Sequence, residues 1–179
     1  MEFNGYLYSG SDNRTIIKWN NDGTVNQILK GHSSSVLSLV EFDGYLYSGS
    51  YDKTIIKWNK DGTISQTLKG HSGLITSLVE FNGDLYSTDT KTIIKWNKDG
   101  TIKEILKGSN DVRCLIVFNG HLYSGSFDGR IIKWGEFTLQ HYRDLNEEKQ
   151  TLLWEASKIF YMYGICKDVR LLIFRYLII

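Results

Sequence analysis

The chain contains no proline and only two cysteines among its 179 residues. Without proline, no predicted strand is interrupted by a residue that cannot donate to a β-ladder. Cys114 and Cys166 follow no spacing typical of a disulfide framework or a zinc site, which favours a reduced, intracellular and cytoplasmic setting and predicts neither metal nor cofactor. The first ten residues also lack the basic and apolar regions of a secretory signal.

An excess of charge of either sign is also missing. Lys and Arg number 21, and Asp and Glu number 20. Such a balance gives no strong field to attract the chain to a polyanion. We therefore expect no nucleic-acid partner and no membrane partner.

What the sequence does have is an internal repeat. The segment TIIKWN occurs at residues 15–20, 54–59 and 92–97, and RIIKWG occurs at 130–135. The tryptophans of these segments recur every 38 or 39 residues. A period of this length is typical of propellers and other repeat arrays.

Each repeat carries signals for two tight hairpins. Asn-Gly or Asp-Gly pairs lie between successive predicted strands, and such pairs predict tight turns with positive φ. The first set of pairs begins at Asn4, Asp43, Asn82 and Asn119, and the second set at Asp22, Asp61 and Asp99. Four strands per repeat follow, and the nearly continuous apolar run at 36–42 predicts a strand covered on both faces in the middle of the assembly.

The second repeat resembles the WD40 repeat of β-propellers. It combines Gly-His at 31–32, an apolar strand, SGSYDKT at 48–54 and Trp58, and similar elements extend over residues 1–136. The residue after the tryptophan departs from the family, because it is Asn three times and Gly once. The resemblance implies an all-β, WD40-like propeller body of three and a half to four blades, which we place at residues 1–143.

The resemblance also implies a hydrogen-bonded network of His, Ser, Asp and Trp that braces each blade. The predicted members are His32, Ser48, Asp52, Trp58, His71, Ser87, Trp96, Ser124, Asp128 and Trp134. Only the second repeat has the whole set, so we expect its blade to be the most rigid. In the first repeat Asn13 takes the Asp position, in the third a turn one residue shorter is expected to misplace Asp89, and in the fourth Gly108-Ser109 replaces Gly-His.

The same residue types suggest an alternative, a hydrolase that uses His32 and Ser48. A nucleophilic serine needs an exposed hydroxyl, and no GxSxG segment occurs in the chain. The serine recurs at one position of every repeat, which favours a structural role. We therefore expect no enzymatic activity.

The number of blades leaves the ring incomplete. The opening MEF matches VEF at 40–42, so the first blade is expected to lack its outer strand and most of its innermost strand. Three outcomes are open: residues 136–145 supply a strand, several chains assemble into one ring, or the sequence is part of a longer gene. Exposed strand edges favour self-association.

After Trp134 the repeat ends, and residues 144–179 predict a helical segment. A capping pattern and helical spacing favour one helix at 145–163 and a second after Gly164. The second resembles the start of an F-box, through Asp168, Val169, Ile173, Phe174, Tyr176 and Leu177. This implies a substrate-recruiting adaptor of a cullin-type ubiquitin ligase, bound to its adaptor subunit; the alternative is a helical pair that covers a propeller edge.

Tyr51 and Phe127 are the candidate partner-binding residues. Both precede the aspartate of a turn, at a position that resembles the contact face of the family, and aromatic anchors are typical of interface centres. The alternative is that they pack beside the turn. The sequence as a whole favours a noncatalytic scaffold that binds other proteins or peptides.

Overall fold

The computed structural model describes residues 1–107 and 111–134. Within these residues the chain forms four antiparallel sheets, in which strand order follows chain order. Sheet 1 contains β1 (Glu2–Phe3), β2 (Tyr6–Gly10), β3 (Thr15–Trp19) and β4 (Val25–Lys30). Sheet 2 contains β5 (Val36–Phe42), β6 (Tyr45–Ser50), β7 (Ile55–Trp58) and β8 (Ile64–Leu68).

The remaining strands repeat the same arrangement. Sheet 3 contains β9 (Ser77–Phe81), β10 (Asp84–Thr88), β11 (Thr92–Trp96) and β12 (Ile102–Lys107). Sheet 4 contains β13 (Val112–Phe118), β14 (His121–Ser126) and β15 (Ile131–Trp134). The prediction of an all-β body built from repeated, four-stranded units is thus confirmed for three sheets, and the fourth sheet has three strands within the described residues.

The predicted turns between the first two strands of each sheet are confirmed. Asn4, Asp43, Asn82 and Asn119 have φ values between 46° and 52°, and the glycines that follow them have φ values between 69° and 76°. Positive φ at both central residues defines the turn whose twist matches that of the flanking strands. This geometry sets the register in which each second strand pairs with the first.

Successive sheets pack face to face and share hydrophobic clusters. One cluster joins sheets 1 and 2, the next joins sheets 2 and 3, and the third joins sheets 3 and 4. A backbone hydrogen bond recurs at each junction: Val36 N–H donates to Ser11 O at 3.0 Å, Ile75 N–H to Ser50 O at 2.9 Å, and Val112 N–H to Thr90 O at 3.1 Å. The first strands β5, β9 and β13 contact one another in succession, so they form the inner side of the array.

Two expectations about the strands are wrong. Sheet 1 keeps its outer strand, β4, and only its innermost strand is short, at two residues. The strand at 36–42 is not covered on both faces, because Leu37 is 43% exposed and Leu39 and Val40 are only half-buried. The most buried strands are instead the second and third of sheets 2 and 3, which lie between neighbouring sheets.

The predicted helices at 145–163 and beyond Gly164 lie outside the described residues, as does the proposed strand at 136–145. The boundary of the propeller body at residue 143 also lies there and stays a prediction.

Candidate functional site

A buried polar network surrounds the hydroxyl of Ser48 in sheet 2. Trp58 Nε1–H donates to Ser48 Oγ at 2.8 Å, and His32 Nε2 lies 2.7 Å from the same oxygen. On its other side, the His32 ring places Nδ1 2.9 Å from Asp52 Oδ2. Ser48 is 0% exposed, and Trp58 is 1% exposed. The four side chains therefore form one continuous chain of hydrogen bonds between β6, β7 and the loop before β5.

The Asp52 carboxylate ends this chain and is held by several donors. Thr54 donates to it through its hydroxyl at 2.6 Å and its backbone N–H at 3.0 Å, and Ser33 N–H donates at 2.8 Å. Burial raises the pKa of Asp52, but the hydrogen bonds from Thr54, Ser33 and His32 outweigh it and hold the pKa below its ordinary value. Because Asp52 is ionised, the network assigns the imidazole proton to Nδ1 and lets Nε2 accept the Ser48 hydroxyl.

Sheet 3 contains the same network. Trp96 Nε1–H donates to Ser87 Oγ at 2.7 Å, and His71 Nε2 also lies 2.7 Å from that oxygen. His71 Nδ1 lies 3.3 Å from Asp89 Oδ2, and both side chains are 1% exposed. Burial lowers the pKa of His71 although the Asp89 carboxylate opposes the shift, so the imidazole is neutral near pH 7.

The expectation that Asp89 is misplaced is wrong. The shorter turn places Asp89 two residues after Ser87, whereas Asp52 comes four residues after Ser48. The backbone compensates, because Asp89 N–H bonds Thr92 O at 3.1 Å, where the equivalent bond in sheet 2, from Ser50 N–H to Thr54 O, spans one residue more. The carboxylate still reaches His71, and it also accepts Gly73 N–H at 3.0 Å and Thr92 N–H at 2.7 Å. The network is complete in sheet 3 as well, so completeness does not distinguish sheet 2 from sheet 3.

Sheets 1 and 4 contain only the tryptophan and serine part of the network within the described residues. Trp19 Nε1–H donates to Ser9 Oγ at 2.9 Å, and Trp134 Nε1–H donates to Ser124 Oγ at 2.8 Å. Ser9 and both tryptophans are only half-buried, unlike their counterparts in sheets 2 and 3. The indole to hydroxyl bond is thus the part common to all four sheets.

Asp128 and Asn13 occupy the aspartate position of the two end sheets without reaching a histidine in the described residues. Asp128 is exposed, accepts a hydrogen bond from the Ser126 hydroxyl, and accepts Arg130 N–H at 3.1 Å. Asn13 N–H donates to Ser11 Oγ at 3.1 Å. Both residues therefore shape their own turns and take no part in a network with tryptophan.

The connectivity of Asp52, His32 and Ser48 is that of a catalytic triad, but its surroundings are not. A nucleophile must face a substrate and an oxyanion hole. Ser48 Oγ instead accepts an indole N–H, and the residue has no solvent-exposed surface. The arrangement can hold two strands and a loop together, and it leaves no route for a substrate to the hydroxyl.

Residues 1–107 and 111–134 contain neither a candidate metal site nor a candidate membrane-spanning helix. No group of three or more His, Cys, Asp or Glu side chains there is placed to hold a metal ion. No helix in that part of the chain is long and apolar enough to cross a membrane.

An exposed surface lies at the end of the array where the aspartate turns are located. Tyr51 is 55% exposed and Phe127 is 51% exposed, so neither side chain is packed into the interior beside its turn. Their backbones are fixed, because Tyr51 N–H donates to Ser35 O and Phe127 N–H donates to Asp111 O, each at 2.9 Å. Two aromatic side chains are therefore presented to solvent on ordered turns.

Two further residues, which were not predicted from the sequence, extend this surface. The pairing of the first strand with the second shifts register around Leu37 in sheet 2 and around Arg113 in sheet 4, which makes each an unpaired bulge residue. The Arg113 guanidinium lies 5.4 Å from the centre of the Phe127 ring and bonds Asp111 at 2.8 Å. We call Leu37, Tyr51, Arg113 and Phe127 together the end surface.

Three of the four lysines that precede the tryptophans contact neighbouring side chains. Lys18 and Lys57 each place Nζ 3.8 Å from the centre of a tyrosine ring, at Tyr6 and Tyr45. Lys95 lies 3.0 Å from the Asp84 carboxylate. These contacts are cation–π interactions and an ion pair on the sheets.

Comparisons with known proteins agree with this architecture. Residues 23–59 match the family described as WD domain, G-beta repeat (WD40), and this segment contains the whole network of sheet 2. Comparison with curated proteins found no match. Among solved structures, that of U3-55K is similar, with a TM-score of 0.65 and 24% sequence identity over 73% of this chain and 42% of that chain.

These comparisons bear on the fold more than on the function. The chain spans less than half the length of the U3-55K chain that it matches, and a likeness at this identity shows the fold alone. Matches extend to 768 chains of solved structures, and a fold so widely shared does not by itself select a function. The F-box-like residues, Asp168 to Leu177, lie outside the described residues, and the comparisons do not support the ligase-adaptor alternative.

Proposed function

We propose that the protein is a noncatalytic interaction scaffold that binds another protein or a peptide through the end surface. The observation that carries this proposal is a contrast in exposure. The polar residues that could perform chemistry, Ser48 and Ser87, are 0% exposed, whereas Tyr51 and Phe127 are more than half exposed on turns fixed by backbone hydrogen bonds.

The composition of the end surface supports a protein ligand. Tyrosine and arginine are enriched among the residues that dominate binding energy at protein interfaces, and rigid aromatic side chains lose little conformational freedom on binding. Arg113 lies over the Phe127 ring and pairs with Asp111, so its guanidinium is already oriented. A surface that is ordered before it binds loses less entropy in the complex.

A selection of peptides from a random library, displayed on phage and captured on the full chain, tests the proposal. Alanine at Tyr51 or at Phe127 is expected to weaken a selected peptide about tenfold or more, the loss typical of a central interface residue. Ile105→Ala is the matched control, because Ile105 is 53% exposed but lies on the outer strand of sheet 3. Peptides that bind the double variant as tightly as the parent chain would contradict the proposal.

A different measurement distinguishes the hydrolase alternative from the scaffold proposal. Ester hydrolysis by the full chain is compared with that of Ser48→Ala, and folding of the variant is checked by circular dichroism. A folded variant that has lost a measurable esterase activity of the parent would establish Ser48 as a nucleophile and overturn the scaffold proposal.

A further inference from the structure

The contacts between successive sheets follow one packing rule. The face of sheet 2 that carries Leu46, Ile56 and Trp58 packs against the face of sheet 1 that carries Tyr8, Ile16 and Leu29. The next junction pairs Leu85, Ile94 and Trp96 with Tyr47, Ile55 and Leu68. We call the Leu-Ile-Trp side of each sheet its leading face, and the Tyr-Ile-Leu side its trailing face.

The leading face of sheet 1 departs from this rule, because it is uncovered within the described residues. Leu7 is 55% exposed, while its equivalents Leu46, Leu85 and Leu122 are 2%, 0% and 1% exposed. Ile17 and Trp19 are half-buried, whereas Ile56 and Trp58 in sheet 2 are 2% and 1% exposed. A leucine that is buried in three sheets and exposed in the fourth marks an apolar face that has no neighbour among the described residues.

Exposure of the outer strands does not contribute to this difference. Val25 and Ile28 of sheet 1 are 50% exposed, but Ile64 in sheet 2 and Ile102 in sheet 3 are also exposed, at 45% and 41%. The uncovered area of sheet 1 is therefore centred on β2 and β3, where the other sheets have no exposed leucine.

Within the described residues, the trailing face of sheet 4 has the tyrosine and the isoleucine that cover a leading face elsewhere, and the leucine of the fourth strand lies outside them. Tyr123, Gly125 and Ile131 occupy the positions of Tyr8, Gly10 and Ile16, and Tyr123 and Ile131 are half-buried. Gly125 is the same residue type as Gly10 in sheet 1 and Gly49 in sheet 2, and its nearest described neighbour belongs to its own sheet.

The glycines at the internal junctions show how closely the next sheet approaches. A Cβ atom on Gly10 would lie 2.7 Å from Val36 O, and one on Gly49 would lie 2.5 Å from Ile75 Cγ2, so the next sheet leaves no room for a side chain. A Cβ atom on Gly125 would meet Cys114 Sγ at 3.0 Å. Sheet 4 thus has a glycine at the position that is glycine in sheets 1 and 2 and the fully buried Thr88 in sheet 3.

We propose that the leading face of sheet 1 binds the trailing face of sheet 4 of a second copy of this chain. The occupant follows from the chain's own junctions, because a leading face already packs against a trailing face three times within one copy. Two copies related by a two-fold axis would form both contacts at once and bring together eight sheets, within the range in which propellers close. This contact uses a different set of residues from the end surface, although Phe127 lies between Gly125 and Ile131 in the sequence, and it goes beyond the proposed scaffold function.

Measurement of the mass of the full chain in solution, by light scattering over a concentration series, is the first test. The expected result is a dimer of the 20.6 kDa chain whose dissociation constant rises at least tenfold in Leu7→Asp and stays unchanged in Ile105→Asp. Ile105 is the control because it is as exposed as Leu7 and lies on an outer strand. A parent chain that stays monomeric at all concentrations overturns the proposal.

Photocrosslinking identifies the occupant of the face. A photoreactive amino acid replaces Leu7 in the full chain, and the crosslinked peptides are identified by mass spectrometry. Crosslinks between copies that reach residues 121–131 support the proposal. Crosslinks within one copy to residues 135–179, or crosslinks between copies that reach a different sheet, overturn it. Tyr51→Ala is expected to leave the mass unchanged, so failure of the scaffold function would not be mistaken for failure of this contact.

Discussion

The Ser48 hydroxyl illustrates how the role of a residue depends on its neighbours. Serine, histidine and aspartate are joined here by hydrogen bonds of 2.7 and 2.9 Å, as they would be in an enzyme. The difference is the Trp58 indole, which donates to the same oxygen and takes the place that a substrate would need. At this scale the network is a means of satisfying a buried carboxylate, an imidazole and an indole together.

Replacing Trp58 by phenylalanine is expected to lower the free energy of unfolding by ~1–3 kcal/mol, because the buried Ser48 hydroxyl loses a donor that water cannot replace. Trp19→Phe removes the same indole bond in sheet 1, where both residues are half-buried, and is expected to cost less than ~1 kcal/mol. Urea unfolding of the two variants at pH 7 checks this difference. Equal losses would mean that burial of the network does not set its contribution to stability.

Turns are the elements in which residue type and conformation agree most closely. The hairpin turn at Asn4-Gly5 and its three equivalents have the predicted positive φ values, since asparagine, aspartate and glycine tolerate that region best. The turns after the second strands differ, because Arg14 and Lys53 adopt φ values of 67° and 71°, while Gly129 holds the same position in sheet 4. Sheets 1 and 2 therefore carry a long side chain at a positive-φ position where sheet 4 has glycine.

Lys53→Gly is expected to raise the free energy of unfolding by up to ~1 kcal/mol, because glycine avoids the steric cost of a left-handed residue. Lys60→Gly is the matched control: Lys60 is also an exposed turn lysine, but its φ is negative, so glycine is expected to lower stability by ~0.5–1 kcal/mol through chain entropy. Thermal unfolding of both variants measures the signs. A loss in both would show that strain at Lys53 is negligible.

Sequence patterns predicted those features that depend on local residue type. Repeated tryptophan segments located the third strand of each sheet, and Asn-Gly pairs located the hairpins, because each signal lies within a few residues of the structure it specifies. The position of Asp89 was predicted wrongly, because comparison by position assumes a turn of constant length. The bulges at Leu37 and Arg113 were not predicted, because they depend on register between two strands.

Coverage of whole faces depends on the arrangement of the entire molecule. The apolar run at 36–42 suggested a strand packed on both sides, but an apolar composition does not show which side meets a second sheet. Sheets 2 and 3 each have a neighbour on both faces, whereas the leading face of sheet 1 has none in the described residues. In an array of this kind, stability is the sum of each sheet and its contacts with neighbours.

Amide hydrogen exchange is expected to be slower in a sheet that has a neighbour on both faces than in sheet 1. Amides of β7 are predicted to exchange at least tenfold more slowly than those of β3, because sheet 2 is flanked on both faces. Both strands contain the sequence IIKW, so residue type does not cause the difference. A tenfold change corresponds to ~1.4 kcal/mol in the free energy of opening. The measurement is made on Leu7→Asp, so that association of two copies cannot protect sheet 1. Equal exchange rates would show that the four sheets open as a single unit.

Sequential strand order has a kinetic consequence. Three of the four sheets contain the segment TIIKW, and a strand could in principle join the wrong copy during folding. Every sheet of the described residues, however, connects its strands in chain order through short turns, so a strand meets its own partners after closing only a small loop. Correct pairing is thereby reached before a copy some 38 residues away can compete, and near-identity among repeats becomes compatible with one native topology.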